Sequence, residues 1–395
     1  MTQASETSFT CLPSRPASVS ALKVPLTCLA LLLFAHLAFA DHVHHLWYNN
    51  SIWQDQDLTV LTGGGISYGA GIAAFYTPGS QLHVYYSDTN NHMHQLYYNN
   101  TSWSDADLTA LTGGPGVLVG AISGFNIENF QYVFYLGVDQ HVHELSYVDN
   151  WTDQDITVLG NGVLGNPVIV AFPTKPNNQF HVYYQDSNAH DMHQLYFNGT
   201  SWSDSDLTTL TGAYCPGGQW WAGLATGNLQ HVLCAGYGPQ DPNSLDLLHI
   251  YYNNHAWTYE DITLQDGYGL AVYPDSGVAA FRVGFQGEVY GPTTDGHMQD
   301  YTRFSNGEWG DADLTADIGA PTKTYGGIAA FITTPNNQYH IFYAPDNDIY
   351  QLYNNGTSWA VDNLTGGAGQ ADYYADITGF AIGNLQHVFY FDTNN

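Results

Sequence analysis

The chain has 395 residues, of which 15% are aromatic and only 11% are charged. This composition excludes an intrinsically disordered chain, which needs high charge and few aromatic residues. The formal net charge of −30 excludes a protein that attracts nucleic acid or anionic lipid through positive surface charge.

The first 40 residues differ in character from the rest. Arg15 and Lys23 precede an apolar run, Leu26 to Ala40, which ends in the small-x-small sequence Ala38-Phe39-Ala40. Basic residues, an apolar core and small residues in this order predict a secretory signal peptide, residues 1–40, cleaved after Ala40. An uncleaved anchor is the alternative, but the run is short for a membrane span. We therefore expect a secreted protein, extracellular or periplasmic, without membrane insertion.

One stretch, from His92 to Thr109, is repeated along the remainder of the chain. It reads HMHQLYYNNTSWSDADLT and returns in similar form from His42, His141 and Met192, with weaker copies further on. Its register is marked by seven tryptophans, Trp53, Trp103, Trp151, Trp202, Trp257, Trp309 and Trp359. Their spacing of about 50 residues, in a sequence of short alternating segments, predicts a β-propeller with one blade per repeat.

Each repeat divides into four short segments. The first is small and apolar, as in Ile72–Thr77, and the second alternates polar and apolar residues, as in Leu82–Asp88. The third is the His-x-His-Gln-Leu-Tyr segment, and the fourth runs from the tryptophan to Leu/Ile-Thr. Period-two patterning bounded by Gly, Asn, Asp and Pro predicts antiparallel strands, and no segment has a sustained helical period. The small first segments are expected on the innermost strands, where blades crowd toward the axis.

The two ends of the propeller region each carry half of a repeat. After the leader the chain begins with a third segment at His42, and it stops at Asn395 just after a second segment, QHVFYFD from Gln386. Pairing both ends in one blade closes the ring and removes free sheet edges. The sequence therefore predicts an all-β fold in one domain, residues 41–395: a seven-bladed β-propeller of four-stranded antiparallel blades.

The repeated run H-x-H-E/Q-L-x-Y…W-x-x-D-L-T resembles that of the bacterial seven-bladed propeller lectins of the Photorhabdus type and, more distantly, that of the fungal fucose-binding propeller lectins. The resemblance implies sugar sites between neighbouring blades, often for fucose or methylated sugars. The fungal lectins use an Arg on the second strand and a Glu on the third. The matching second-strand positions here are His83, Tyr132, His181, His231, His340 and His387. The matching third-strand positions are His45, Gln95, Glu144, Gln194, Asp300 and Gln351. Only Glu144 keeps the Glu of the fungal lectins, and no Arg stands opposite it.

Aromatic and polar side chains together form the candidate site. A sugar ring has an apolar C–H face and a rim of hydroxyls, so it binds a flat aromatic ring surrounded by His, Gln, Asn or Asp groups. Trp103 with Gln95, His94 and His83 is one such set. The candidate carbohydrate-binding residues are His45, Trp53, His83, Gln95, Trp103, Tyr132, Glu144, Trp151, His181, Gln194, Trp202, His340, Gln351, Trp359 and His387. The alternative is that each Trp packs between blades and each His satisfies a strand-edge hydrogen bond.

Two further patterns suggest metal ions. The pairs His42/His44, His92/His94 and His141/His143 each point to one face of a strand and could hold Zn or Cu. The Asp-x-Asp sequence after most of the tryptophans, such as Asp105/Asp107, could hold Ca²⁺. Later copies lose members of both patterns, which favours a structural role in which Asp caps the turn that leaves the strand. We expect no metal and no cofactor.

The function that these features favour is multivalent binding of glycans or glycoconjugates by a secreted lectin. A non-catalytic scaffold that binds protein through its loops is the first alternative, and a glycan-processing enzyme is the second. Paired carboxylates for glycoside hydrolysis do not stand out from the repeat. The sequence leaves open the oligomeric state, and whether Cys215 and Cys234 form a disulfide or remain buried thiols.

Overall fold

Seven four-stranded antiparallel sheets make up the folded part of the chain. The computed structural model describes residues 41–49, 51–157, 168–186, 191–215, 221–253, 255–266, 277–283, 286–323, 326–366, 371–372 and 376–392. The predicted signal peptide, residues 1–40, lies outside the described residues. Among these residues, no helix is long and apolar enough to cross a membrane. The all-β seven-bladed fold is confirmed.

One sheet, which we name blade I, combines strands from both ends of the chain. Its strand order is Ile377–Ile382, Leu385–Asp392, His42–Tyr48 and Trp53–Asp57. His42 pairs with Asp392 and Tyr48 with Gln386 in the antiparallel register that joins head to tail. Blades II to VII follow in chain order, each built from four consecutive strands. The predicted closure of the ring is confirmed.

Each strand type recurs once in every blade. From blade I to blade VII the inner strands are Ile377–Ile382, Ser67–Thr77, Val117–Ile127, Ile169–Thr174, Ala222–Thr226, Ala279–Val283 and Ala329–Thr333. The second strands are Leu385–Asp392, Gln81–Asp88, Phe130–Gly137, Gln179–Gln185, Leu229–Gly238, Gln286–Pro292 and Gln338–Tyr343. The third strands are His42–Tyr48, Met93–Tyr98, Val142–Tyr147, Met192–Phe197, Asp241–Tyr252, Met298–Arg303 and Tyr350–Asn354. The outer strands are Trp53–Asp57, Trp103–Asp107, Trp151–Asp155, Trp202–Asp206, Trp257–Asp261, Trp309–Asp313 and Trp359–Asn363.

The inner strands surround the axis. Each inner strand contacts those of the two neighbouring blades, and the inner strand of blade I contacts that of blade II, so the circle is complete. Small residues are required there: a Cβ added to Gly223 would lie 2.4 Å from Val170 Cγ1, and one added to Gly379 would lie 2.7 Å from the His387 carbonyl oxygen. An axial cavity of about 360 Å³ remains between the strands.

Among the described residues, five one-turn helices follow outer strands, where the sequence predicted only turns. They are Leu58–Thr62, Leu108–Thr112, Leu207–Thr211, Ile262–Asp266 and Leu314–Ile318. The second Asp of the Asp-x-Asp pattern caps four of them; Asp57, for example, accepts a hydrogen bond from the Val60 N–H at 2.8 Å. The capping role of this Asp is therefore confirmed. Five residues are too few to reveal a helical period in sequence.

A disulfide joins Cys215 to Cys234, which settles the alternative that the sequence left open. Both residues are fully buried in an apolar cluster with Val232 and Leu248. The bond connects the segment that enters blade V to that blade's second strand.

Candidate functional site

Grooves lie between successive blades, and each is named here by the two blades that form it. The tryptophan that starts an outer strand stands edge-on against a second-strand side chain of the preceding blade. Trp103 meets Phe389 at 6.2 Å between ring centroids, and Trp151 meets Tyr85 at 6.1 Å. Trp53, Trp202 and Trp359 make the same kind of contact with Phe342, Phe134 and Tyr290. These five candidate tryptophans therefore pack between blades, yet each stays partly exposed.

The tryptophan and the polar residues of one repeat face different grooves. Trp103 lies in groove I/II beside His45, at 5.4 Å between ring centroids. Gln95 and His83 of the same repeat lie in groove II/III. His94 pairs with Asp105 and does not line the cavity of groove I/II. The set predicted from one repeat is thus divided between two neighbouring grooves.

Three grooves are closed by a glutamine bridge. In groove II/III the Gln95 amide donates to Gln131 Oε1 at 2.9 Å and contacts His83 Nδ1 at 3.0 Å, while His83 Nε2 lies 3.0 Å from the Thr77 hydroxyl. The same Thr–His–Gln–Gln series closes grooves IV/V and VII/I through Thr174, His181, Gln194 and Gln230, and through Thr333, His340, Gln351 and Gln386. We call these the Gln-bridged grooves. Their candidate amides and imidazoles are buried and already hydrogen-bonded.

Two of the other four grooves are narrowed by side chains. In groove III/IV the Phe180 ring lies 4.5 Å from the Tyr132 ring and also contacts Trp202. Glu144 is buried there, and burial raises the pKa of its carboxyl to about 7. Groove VI/VII holds Asp300 beside Glu288. Burial, and then the charge of Glu288, raise the pKa of Asp300 to about 8, so the two acids share a proton near neutral pH.

Groove I/II is an open cavity of about 560 Å³. His45, Trp103 and His387, all predicted, line it together with Trp47, which the sequence analysis did not select. The Trp47 ring stacks on His45 at 4.8 Å, and His45 Nε2 lies 3.0 Å from His387 Nδ1. Burial lowers the pKa of both imidazoles, that of His387 to about 4, so both rings are neutral at pH 7.

Groove V/VI is a second open cavity, of about 360 Å³. Arg303 Nη2 donates to Glu260 Oε1 at 2.8 Å, and the guanidinium lies over the Tyr251 and Trp309 rings at 5.5 and 5.7 Å. Glu260 also accepts from Tyr251 Oη at 2.9 Å and from Trp309 Nε1 at 3.2 Å. Burial alone would raise the pKa of Glu260, but hydrogen bonds from His249 and Trp309 and the charge of Arg303 lower it to about 2. The carboxylate therefore stays ionised and fixes the guanidinium in place.

The same carboxylate orients two histidines of groove V/VI. Since ionised Glu260 only accepts, His249 Nδ1 must donate to it, over 3.4 Å, which leaves His249 Nε2 as the acceptor for His231 Nδ1 at 2.9 Å. His231 Nε2 then carries a lone pair. It has no hydrogen-bond partner among the described residues, and neither has the Thr226 hydroxyl, although the equivalent Thr and His bond each other in the Gln-bridged grooves. Both residues line the cavity, although these two atoms are themselves buried.

Most residues of groove V/VI were not predicted from the sequence. His231 matches the second-strand Arg of the fungal lectins but was not among the candidates, and neither were the cavity-lining residues His249, Arg303 and Trp309, nor Glu260, which holds Arg303. One signal was present. The chain has only six basic residues, and two of them, Arg282 and Arg303, flank the repeat of Trp309 and line this one cavity.

The two metal-like patterns pair with each other across strands. His94 Nδ1 lies 2.8 Å from Asp105 Oδ2, and His92 Nδ1 lies 2.7 Å from Asp107 Oδ2. Equivalent pairs join His42 to Asp57, His44 to Asp55, His141 to Asp155, His143 to Asp153, His193 to Asp204 and His297 to Asp313. Within the described ranges, no group of three or more His, Cys, Asp or Glu side chains could hold a metal ion. The patterns thus have a cross-strand structural role.

The groove histidines make stability depend on pH. Burial lowers the pKa of His83 to about 4, below the ordinary value of about 6.5. In the unfolded chain this imidazole is protonated as the pH falls below about 6.5, whereas in the folded chain it is protonated only near pH 4. The free energy of unfolding therefore decreases as the pH falls through this range. We expect the urea midpoint to fall less between pH 7 and pH 5 in His83→Gln than in the unmodified chain. Parallel pH profiles would contradict this assignment.

Several lectins of known structure have a similar fold. The BP39L lectin from Burkholderia pseudomallei superposes with a TM-score of 0.61 at 16% identity, over 83% of this chain and 97% of that chain. SapL1 lectin, solved in complex with α-methyl fucoside, superposes with a TM-score of 0.51 at 17% identity, over 75% of this chain and 96% of that chain. The six-bladed Aleuria aurantia lectin, described with a novel fucose recognition mode, superposes with a TM-score of 0.50 at 14% identity, over 75% of this chain and 96% of that chain. The fold is that of the propeller lectins. No protein-family model and no curated protein matches the chain.

Proposed function

We propose that this chain is a carbohydrate-binding protein whose sugars occupy grooves I/II and V/VI. The observation that carries the proposal is the contrast among grooves. These two hold open cavities beside a marker tryptophan, whereas a buried glutamine pair fills the same position in three others. Aromatic faces with a few fixed polar groups are what sugar binding requires.

Groove V/VI offers both donors and acceptors for sugar hydroxyls. The Arg303 guanidinium has five N–H donors, and one of those on Nη2 donates to Glu260. The buried atoms His231 Nε2 and Thr226 Oγ1 have no hydrogen-bond partner among the described residues. Apolar side chains, Leu224 and Leu229 among them, complete the wall. Fucose or a methylated sugar would place its methyl group against such a wall, in keeping with the fucose-binding lectins that share the fold.

Groove I/II would bind a sugar mainly by stacking its ring on aromatic side chains. Trp47 and Trp103 present aromatic surface, Leu82 is apolar, and the two neutral histidines supply polar atoms. Buried His45 Nδ1 has no hydrogen-bond partner among the described residues. We expect this groove to bind the same class of sugar more weakly than groove V/VI, because it lacks a charged donor.

Secretion is part of the proposal. The leader, in which basic residues precede an apolar run, supports export, and the Cys215–Cys234 disulfide fits an oxidising compartment. The sugar is bound and not transformed, so reporter glycosides should not be turned over.

Titration calorimetry with methyl α-L-fucoside tests the sites. We expect two sites per chain, one lost in Arg303→Gln and the other weakened about tenfold or more in Trp47→Ala, since loss of a stacked ring costs about 1.4 kcal/mol. Tyr97→Ala is the matched control: Tyr97 stacks on His83 at 5.1 Å in the Gln-bridged groove II/III, and its loss should leave binding unchanged. A glycan array without signal for the processed protein, or a Tyr97→Ala effect equal to that of Trp47→Ala, would overturn the proposal. Binding to protein that free sugars do not inhibit would favour the scaffold alternative.

A further inference from the structure

Asp41, the residue that follows the predicted cleavage point, forms backbone hydrogen bonds with blade II. Its backbone N–H donates to the Ser67 carbonyl at 3.0 Å, and its carbonyl accepts from the Ser67 N–H at 2.8 Å. Ser67 begins the inner strand of blade II, so this bridge ties the start of the propeller chain to the next blade. Asp41 is only 2% exposed.

Three carboxylates meet at this point. A Cβ added to Gly69 would lie 2.3 Å from Asp41 Oδ2 and 3.0 Å from Asp372 Oδ2, so both oxygens face the space that this glycine leaves. Asp392, 4% exposed, is the third, and its Oδ2 lies 3.1 Å from His44 Nε2. Gly69 has a φ of 78°, a conformation that favours glycine.

Two of these buried carboxylates are incompletely satisfied. Oδ1 of Asp41 and Oδ1 of Asp392 have no hydrogen-bond partner within the part of the chain that the structure describes. Burial, followed by the charges of Asp372 and Asp392, raises the pKa of Asp41 to about 7. Buried carboxylates without partners are costly, and a cation among them would remove the cost.

We propose that this pocket binds the α-ammonium group of Asp41 itself, which forms when a signal peptidase removes residues 1–40. Water adds across the Ala40–Asp41 peptide bond; the leader leaves with a carboxylate on Ala40, and the new amine of Asp41 takes up a proton. The inference rests on the proposed secretion of the chain.

The number of N–H groups explains why cleavage matters. As a peptide nitrogen, Asp41 N has one N–H, which Ser67 already accepts. As an ammonium it has three and carries a positive charge, so two further charge-assisted hydrogen bonds become available to the carboxylates around it. Processing thus adds a cation beside Asp41 at the junction of blades I and II, in addition to the buried Lys323, whose charge acts on Asp372. Ring closure is therefore tighter in the processed chain than in its precursor.

The test compares two forms of the propeller chain. One begins at Asp41, and the other carries an additional Gly-Ser before Asp41, which converts the ammonium into a peptide N–H. We expect the extended form to melt at least about 2 °C lower and to exchange the amide hydrogens of Gln386–Asp392 faster. The substitution Asp41→Asn distinguishes the effect of the ammonium charge from the effect of the two added residues. It should lower the Tm of the form that begins at residue 41, by removing the ion pair, and raise that of the extended form, by relieving repulsion.

Three results would contradict the ammonium pocket. Equal Tm values for the two forms, or Asp41→Asn shifts of the same sign in both, would overturn the ammonium pocket, as would a secreted protein whose measured mass places its first residue elsewhere. An extended form that fails to fold supports the proposal if Asp41→Asn restores folding, and contradicts it if folding stays lost. Fucoside titration of both forms keeps the questions apart, because grooves I/II and V/VI can fail to bind sugar while the Tm difference stands.

Discussion

A chain that ends after Gly383 is expected to have no cooperative folded state. The truncation removes the second strand of blade I, so His42–Tyr48 and Ile377–Ile382 lose the strand that lies between them. Val388, Phe389, Tyr390 and Phe391 of that strand are at most 3% exposed. Burying each contributes about 1.5–3 kcal/mol, so together they approach the whole stability of a typical domain. Thermal unfolding followed by near-ultraviolet circular dichroism checks this expectation.

A circular permutant is the matched control for the truncation. Joining the two ends of the propeller with a short Gly/Ser linker, and opening the chain at the exposed turn around Gly199, keeps every strand pair. We expect this permutant to unfold cooperatively and to melt close to the form that carries Gly-Ser before Asp41, because its linker also turns the Asp41 ammonium into a peptide N–H and ring closure depends on which strands pair and not on where the backbone is cut. A truncated chain that unfolds cooperatively near the unmodified Tm would show that blade I is dispensable.

Replacing Glu260 with Ala is expected to destabilise the protein by about 3 kcal/mol, because breaking a partly buried ion pair leaves its donors without an acceptor. Four groups lose their acceptor at once: the Arg303 guanidinium, Trp309 Nε1, the Tyr251 hydroxyl and His249. The substitution should also abolish fucoside binding at groove V/VI while groove I/II still binds. Urea denaturation and titration calorimetry measure the two effects.

Gln154→Ala is the control for Glu260→Ala. Gln154 occupies the equivalent place on the outer strand of blade III, opposite Glu144 as Glu260 is opposite His249, and it is exposed. Its replacement should change the free energy of unfolding by less than about 0.5 kcal/mol. A Glu260→Ala variant as stable as Gln154→Ala would mean that the carboxylate does not organise the groove.

Local patterns in the sequence were sufficient for the fold. Alternation of side chains over a few residues specifies strands, and the repeated tryptophan specifies how many sheets there are. The split repeat at His42 and Gln386 predicted head-to-tail pairing, since an unpaired half would leave open edges. The helix Leu58–Thr62 and its four equivalents escaped prediction, because one turn is shorter than the period that would reveal it.

The structure divides the predicted set of site residues between two neighbouring grooves. Repeats suggested one similar site per blade, and Trp103 was grouped with Gln95 because both lie in one repeat. A groove, however, takes its third-strand Gln or His from one blade and its tryptophan from the next. Whether Gln95 meets Gln131 depends on two residues 36 positions apart, one from each blade.

The sequence by itself determined the strands, their number and the closure of the ring, because these follow from side-chain alternation and from a repeat that every blade obeys. Only the tertiary structure decided which grooves are open. Packing of one blade against the next places Arg303 beside Glu260 in one groove and joins two glutamines in another. Such contacts arise between side chains from different repeats, and no pattern within a single repeat contains them.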